Sequence, residues 1–350
     1  MIEKKLDYCL ALETSSIKEC ILYLEKSTKQ IIFVVNNNKK LLGSLTDGDL
    51  RRAILKNYDL DTKIKSIYKK KPIKSMNNIS FNDALKIMQF NRINHLPIVD
   101  KKNKIIGFYS RSFFETDKIE YECDFVIMAG GKGTRLKPYT NNKPKPMLKI
   151  SGKPILEIII NNAKKQGFKN FIFAINYLGE VIENYFKNGK KFGVEIKYIK
   201  EKKPLGTLGS LANLNKKFKH ENVIVANGDV ISDINYKSLV EFHNLNKSDA
   251  TMAVYPYKNQ SPYGEVITKD AKIIDINEKP VSISYVNAGV YVFKKNVLKL
   301  LKKNKEMDAV TFFNTLRNKK KKIMAFAVHE SWKDIGAKNE FLKFKNENHR

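Results

Sequence analysis

Cysteines and acidic residues are scarce in this chain, and long apolar runs are missing altogether. The three cysteines, Cys9, Cys20 and Cys123, form no Cys-x-x-Cys pair, which argues against a zinc site or a disulfide framework and suits a reducing compartment. No stretch approaches the ~20 apolar residues that cross a bilayer. Glu3 and Asp7 beside Lys4 and Lys5 do not build a signal peptide. A cytoplasmic protein with no membrane partner is expected. Asp and Glu number 36 against 65 Lys and Arg, a formal net charge of +29. Such a surplus could neutralise nucleic-acid phosphates. Yet the lysines are spread over the whole chain, and the runs at Lys69 to Lys71 and Lys319 to Lys322 are short. Dispersed charge lacks the clustered footprint of a nucleic-acid surface, so no nucleic-acid partner is expected.

What is present is globular: 42% hydrophobic and 11% aromatic residues over 350 positions, enough for two cores. The first part carries an internal repeat. Residues 16 to 50 and 80 to 114 superpose at a constant offset of 64, with Ser16 on Ser80, Val35 on Val99, Gly43 on Gly107 and Thr46 on Ser110. Each copy opens with a helix-capping signature, Ser16-x-x-Glu19 or Ser80-x-x-Asp83. An amphipathic helix, an apolar strand, a polar turn, a second strand and a second helix should follow. The repeat resembles a tandem pair of CBS modules over about residues 10 to 117, carried by His95-Leu96-Pro97-Ile98-Val99-Asp100 and by Gly43 to Asp49. That resemblance implies a regulatory nucleotide site at Thr46 and Asp49, a hydroxyl for phosphate and a carboxylate for ribose. The matching residues in the second copy are Ser110 and Phe113, which leaves at most one complete site. A purely structural or dimerising pair remains the alternative.

A polar segment leads to Asp124-Phe125-Val126-Ile127-Met128, which opens a new strand, and the domain boundary is placed near Tyr121. Strand signals at 124 to 128, 171 to 175 and 223 to 226 alternate with helix signals at 154 to 166 and 178 to 187, the pattern of a doubly wound sheet. Ligands of such sheets sit beyond the carboxyl ends of the strands. There the chain reads Ala129-Gly130-Gly131-Lys132-Gly133-Thr134-Arg135-Leu136, followed by Pro138, Pro144, Lys145, Pro146 and Met147. It is not a Rossmann fingerprint, because Leu136 stands where the third glycine belongs, and no Gly-Lys-Ser/Thr closes a Walker loop. Glycines after a buried strand still point successive N–H groups at an anion, and Arg135 adds a fork for phosphate oxygens. The prolines forbid a regular helix for nearly twenty residues, and long loops in compact domains are usually functional.

This stretch resembles the Gly-x-Gly-Thr-Arg-Leu…Pro-Lys-Pro-Met signature of the sugar-1-phosphate nucleotidyltransferases. Further landmarks recur in order: Glu201-x-x-Pro204-Leu205-Gly206-Thr207, Asn227-Gly228-Asp229, Tyr263-Gly264, Glu278-Lys279-Pro280, Asn287-Ala288-Gly289 and Trp332-Lys333-Asp334-Ile335-Gly336. The resemblance implies transfer of a nucleotidyl group from a nucleoside triphosphate to a sugar 1-phosphate. Ala129, Gly130, Gly131, Gly133 and Thr134, with Glu201, Gly206 and Thr207, would hold the nucleotide. Arg135 and Lys145 would serve as the catalytic cations, Asp229 and Asp334 would hold Mg²⁺, and Gly264, Glu278, Lys279 and Asn287 would contact the sugar. No general base is needed, because the attacking phosphate oxygen is already anionic. The sequence departs from the family at Leu208 and Ser210 and again at Ala337 and Lys338. No hexapeptide repeat follows, so a second acyltransferase activity is not expected.

The expected fold is α/β throughout. A Rossmann-like mixed-sheet nucleotidyltransferase domain over 121 to 350 is preceded by a smaller α/β CBS-pair domain over 1 to 120. That domain order resembles the glucosamine-1-phosphate guanylyltransferases of bacterial nonulosonic (legionaminic) acid synthesis. Mannose-1-phosphate guanylyltransferase is the second reading, and a nucleotide-sensing regulator with an inactive transferase half is the alternative of another class. A homo-oligomer is expected.

Overall fold

A computed structural model describes residues 2–27, 29–76, 79–91, 93–111, 123–201, 203–214, 218–336 and 341–342. The chain divides into two compact units, Met1–Ile119 and Glu120–Arg350. The boundary expected near Tyr121 lies outside the described residues, as do Phe113, Ala337, Lys338 and the second helix expected in the second repeat.

In the first unit, β1 (Leu10–Leu12), α1 (Ile17–Ser27), β2 (Ile31–Val35), β3 (Leu41–Thr46), α2 (Asp47–Leu55) and β4 (Lys69–Lys70) form the first copy. The second copy holds β5 (Ser75–Met76), α3 (Phe81–Phe90), β6 (His95–Val99) and β7 (Ile105–Ser110). Each has a parallel pair, β1 with β2 or β5 with β6, continued by an antiparallel partner, β3 or β7. Even the bulges repeat, between Val34 and Val35 and between Ile98 and Val99, at the offset of 64 seen in the sequence. Both helix caps form as expected, since the Glu19 and Asp83 N–H groups donate to the Ser16 and Ser80 hydroxyls. The copies share one core, in which Phe33 and Phe108 meet at 5.3 Å.

The second unit is built on β8 (Cys123–Met128). A small hairpin, β9 (Lys149–Ile150) and β10 (Lys153–Pro154), leads into α4 (Ile155–Lys165), and then come β11 (Asn170–Ile175), α5 (Gly179–Phe186), β12 (Glu195–Lys200) and α6 (Leu211–Leu214). The chain continues through β13 (Asn222–Asn227), β14 (Val230–Ser232), α7 (Tyr236–Leu245), β15 (Ala250–Gln260), the β16–β17 hairpin (Glu265–Lys269, Lys272–Asn277) and β18 (Val281–Lys294). It closes with α8 (Lys295–Leu298), α9 (Ala309–Asn318), β19 (Ile323–Ala327) and β20 (Trp332–Asp334).

The seven-stranded sheet runs β12-β11-β8-β13-β18-β15-β19. Its first four strands are mutually parallel, and β18 lies antiparallel between β13 and β15, so the sheet is mixed. Strand alternation feeds two cores. Phe125, Ile127, Ile224 and Ala226 face α4, α5 and α7, while Val126, Val223 and Val225 face α6, α8 and α9. From β8 the chain crosses to β11 on one side and later returns to β13 on the other, so the crevice at the carboxyl ends of β8 and β13 is a topological switch point. Among the described residues no helix is long and apolar enough to cross a membrane.

Candidate active site

The loop leaving β8 is irregular, as its prolines require, and is held by short 3₁₀ turns at Thr134–Leu136 and Lys145–Met147. It is pinned at several points. The Ala129 N–H donates to Ala174 O at 2.8 Å, the buried Thr140 hydroxyl donates to Gly133 O at 2.9 Å, and Leu136 is fully buried. Tyr177, just past the carboxyl end of β11, donates its hydroxyl to Thr140 O and Asn141 O. Gly133 has φ +60°, a conformation that glycine adopts without steric cost.

A cavity of about 370 Å³ opens here, within the usual range for small-ligand sites. Every residue expected around the nucleotide lines it, in the loop from Ala129 to Thr134 and at Glu201, Gly206 and Thr207, together with Arg135, Lys145 and Asp229. Glu201 follows β12 and stands against Gly130, where an added Cβ would lie 3.4 Å from its carboxylate. Burial pushes the Glu201 carboxyl above its ordinary value, while hydrogen bonds from Ser210 and from the Leu205 backbone pull the other way. Ser210 is one of the departures from the family pattern, and it is fully buried.

The two aspartates meet through a short ladder. β14 and β20 pair antiparallel with Val230 opposite Asp334, which brings Asp229 beside Asp334 across the ladder. Between them lies the Lys145 ammonium, 2.6 Å from Asp229 Oδ2 and 3.9 Å from Asp334 Oδ1. Gly228 permits this approach: its N–H donates to Met128 O at 2.8 Å, and a Cβ there would also come within 2.8 Å of that oxygen.

Two carboxylates suit a hard cation that takes its remaining ligands from water and substrate phosphates, as Mg²⁺ usually does. No group of three or more His, Cys, Asp or Glu able to hold a metal occurs among the described residues.

The residues expected around the sugar are not gathered into this cavity. Gly264, Glu278 and Lys279 lie at the base of the exposed β16–β17 hairpin, where an added Cβ on Gly264 would meet Glu278 Oε2 at 2.9 Å. Asn287 on β18 donates to the Tyr291 hydroxyl and accepts from the Gly289 N–H, so both of its polar atoms are engaged within the protein. In the first unit, Thr46 and Asp49 form a reciprocal capping box on α2: the Asp49 N–H donates to Thr46 Oγ1 at 3.2 Å and the Thr46 N–H donates to Asp49 Oδ2 at 2.9 Å. Asn176, whose side chain donates to Glu201 O, and Tyr177 were not picked out from sequence. Their place at the end of a parallel strand was the available signal.

The family model described as nucleotidyl transferase matches residues 125–350, and the CBS domain model matches 9–56 and 64–112. The mannose-1-phosphate guanylyltransferase of Mycobacterium tuberculosis is 32% identical over 64% of this chain, which spans 64% of that relative's length. The D-glycero-alpha-D-manno-heptose 1-phosphate guanylyltransferase of Aneurinibacillus thermoaerophilus is 33% identical over 63% of this chain and 96% of its own. Among solved structures, HddC from Yersinia pseudotuberculosis complexed with GMP-PN superposes with a TM-score of 0.51 at 28% identity, over 64% of this chain and 98% of that one. With a matching model over most of its length and a switch-point cavity carrying the signature loop, the chain belongs to the nucleotidyl transferase family.

Proposed function

We propose that this chain transfers a guanylyl group from GTP to a sugar 1-phosphate, giving a GDP-sugar and pyrophosphate. One observation carries the reading: the glycine-rich loop, the Lys145 ammonium and the Asp229 carboxylate share one cavity, with Asp334 beside them. An oxygen of the sugar phosphate attacks the α-phosphorus, and the bond to the bridging oxygen of the departing pyrophosphate breaks. Two polyanions must be neutralised and aligned, so positioning and charge supply the catalysis. Loop N–H groups from Gly130 to Thr134 receive the triphosphate, and Arg135 grips the leaving β- and γ-phosphates. Lys145 serves the α-phosphate and the incoming phosphate. Mg²⁺, held by Asp229 and Asp334, would neutralise phosphate charge at the same point.

The choice of guanine rests on Glu201. Glu201 lines the cavity, and with the base beside it, as the family resemblance implies, its carboxylate would accept two N–H donors side by side, which guanine presents at N1 and N2. The printed activities of the mycobacterial and Aneurinibacillus relatives are also guanylyl transfers. For the sugar, the CBS pair favours glucosamine 1-phosphate and the legionaminic route, with mannose or heptose 1-phosphate as competitors. The three buried free cysteines suit the reducing cytoplasm. At Thr46 and Asp49, the capping box favours a scaffold role over a ligand site.

The test is purified protein with each triphosphate crossed against glucosamine, N-acetylglucosamine, mannose, heptose and glucose 1-phosphates, following pyrophosphate release with Mg²⁺. GTP with one of these sugars should be the fastest combination. Release in no combination would end the enzyme reading, and a faster UTP or dTTP reaction would end the guanine assignment.

A further inference from the structure

Lys145 is in an unusual position for a phosphate-binding residue. Its side chain is only 8% exposed, whereas those of Asp229 and Asp334 are 35% and 44% exposed. The cation is therefore more enclosed than either carboxylate, and it lines the cavity together with Asp229. The β14–β20 register sets those carboxylates on adjoining strands, and a cation shared by both, as Lys145 is, eases the repulsion between neighbouring like charges. We propose that the Lys145 ammonium stands in for the metal in the ligand-free protein, so that a divalent cation enters together with the triphosphate rather than ahead of it. This inference rests on the reading of Asp229 and Asp334 as the metal ligands.

The donor count supports it. Among the described residues no third acidic, histidine or cysteine side chain joins the pair to complete a metal cage. A divalent ion arriving alone would gain two carboxylates and would strand a buried ammonium without its partners, the costly half of breaking a buried pair. Triphosphate removes both obstacles. Its oxygens complete the metal's ligand set and also accept the displaced ammonium, so the lysine passes from carboxylate to phosphate as the metal arrives.

The experiment measures Mn²⁺ binding to the full-length protein by calorimetry or by the spin-resonance signal of free Mn²⁺, with and without a non-hydrolysable GTP analogue. Wild type should bind Mn²⁺ at least tenfold more tightly with the analogue than without it. Without nucleotide, Lys145→Met should bind Mn²⁺ at least tenfold more tightly than wild type, and Mn²⁺ should raise its melting temperature. Lys145→Arg keeps the charge and should stay close to wild type. Adding Asp229→Asn to Lys145→Met should abolish the gain.

Nucleotide-free wild type binding Mn²⁺ as tightly as it does with the analogue would overturn the proposal, and this arm needs no variant to fold. So would Lys145→Met binding no better than wild type. Neither result depends on turnover, so failure of the pyrophosphate assay and failure here are separable.

Discussion

Replacing Gly133 by alanine tests whether the loop works by placing Lys145. At φ +60° an added Cβ would meet both Lys145 Cβ and Thr140 Cγ2 at 3.0 Å. The left-handed backbone costs an alanine about 1–2 kcal/mol. In a unit of this size that corresponds to a fall in melting temperature of about 2–4 °C per kcal/mol. The contacts at 3.0 Å add a demand that Lys145 and Thr140 each give by a few tenths of an ångström. Since a 1 Å misplacement of a reacting group costs ~10²-fold, turnover should fall by about tenfold while the protein remains folded. Gly152→Ala is the matched control. Gly152 also has positive φ, +81°, but nothing lies within 4 Å of its would-be Cβ, and it occupies the exposed β9–β10 turn. It should lose similar stability and keep its activity. Thermal unfolding and initial-rate pyrophosphate release on both variants decide the matter. If Gly133→Ala retains wild-type kcat, or loses no more than Gly152→Ala, the loop does not act through Lys145.

Two further outcomes follow from buried titratable groups. Burial raises the Glu201 carboxyl above its ordinary 4.5, and only the ionised form accepts two N–H groups from guanine. KM for GTP should therefore rise as the pH is lowered toward that raised value. Glu201→Gln should show a higher KM at pH 7 that changes little with pH, so parallel profiles for the two proteins would refute the assignment. His243 is fully buried, with Nδ1 2.9 Å from Thr251 Oγ1 and Nε2 without a hydrogen-bond partner among the described residues; burial lowers it from 6.5 to about 4. Below pH 6.5 the unfolded chain takes up a proton that the folded chain refuses, so stability falls as the pH drops from 6.5 toward 4. The loss is at most about 3 kcal/mol. Urea melts at pH 7, 5.5 and 4.5 should show a steeper decline for wild type than for His243→Gln.

Elements with strong periodicity were legible. The strand at β8, helix α4 and strand β11 begin and end within about a residue of their expected positions, because burial on both faces of β8 and on one stripe of α4 leaves a clear pattern. Neighbour relations were less legible. Alternation tells which face a residue occupies but not which strand lies beside it, so the antiparallel insertion of β18 into a parallel sheet had no local signal. Asp334 reached Asp229 only through family resemblance, since the three-residue strands β14 and β20 are too short to announce a pairing.

At Thr46 and Asp49 one spacing carries two meanings. The Thr-x-x-Asp pattern that resembles a nucleotide site also closes a reciprocal cap on α2, as Ser16-x-x-Glu19 does on α1. On the sugar side, the intramolecular bonds of Asn287 depend on Tyr291, four residues further along β18. Spacing alone does not show which of two polar neighbours will pair.

The β14–β20 ladder also orders events in time. During synthesis the glycine-rich loop, Lys145 and Asp229 leave the ribosome well before residues 332 to 334 exist. At about 5–20 residues per second, roughly 5–20 s separate the two aspartates. Throughout that interval the four parallel strands β12, β11, β8 and β13 are already made, but Lys145 has only one of its two carboxylates. Completion of the site is thus tied to translation as far as β20. A nascent or truncated product ending before β20 would carry the signature loop without the second carboxylate that the lysine and metal share.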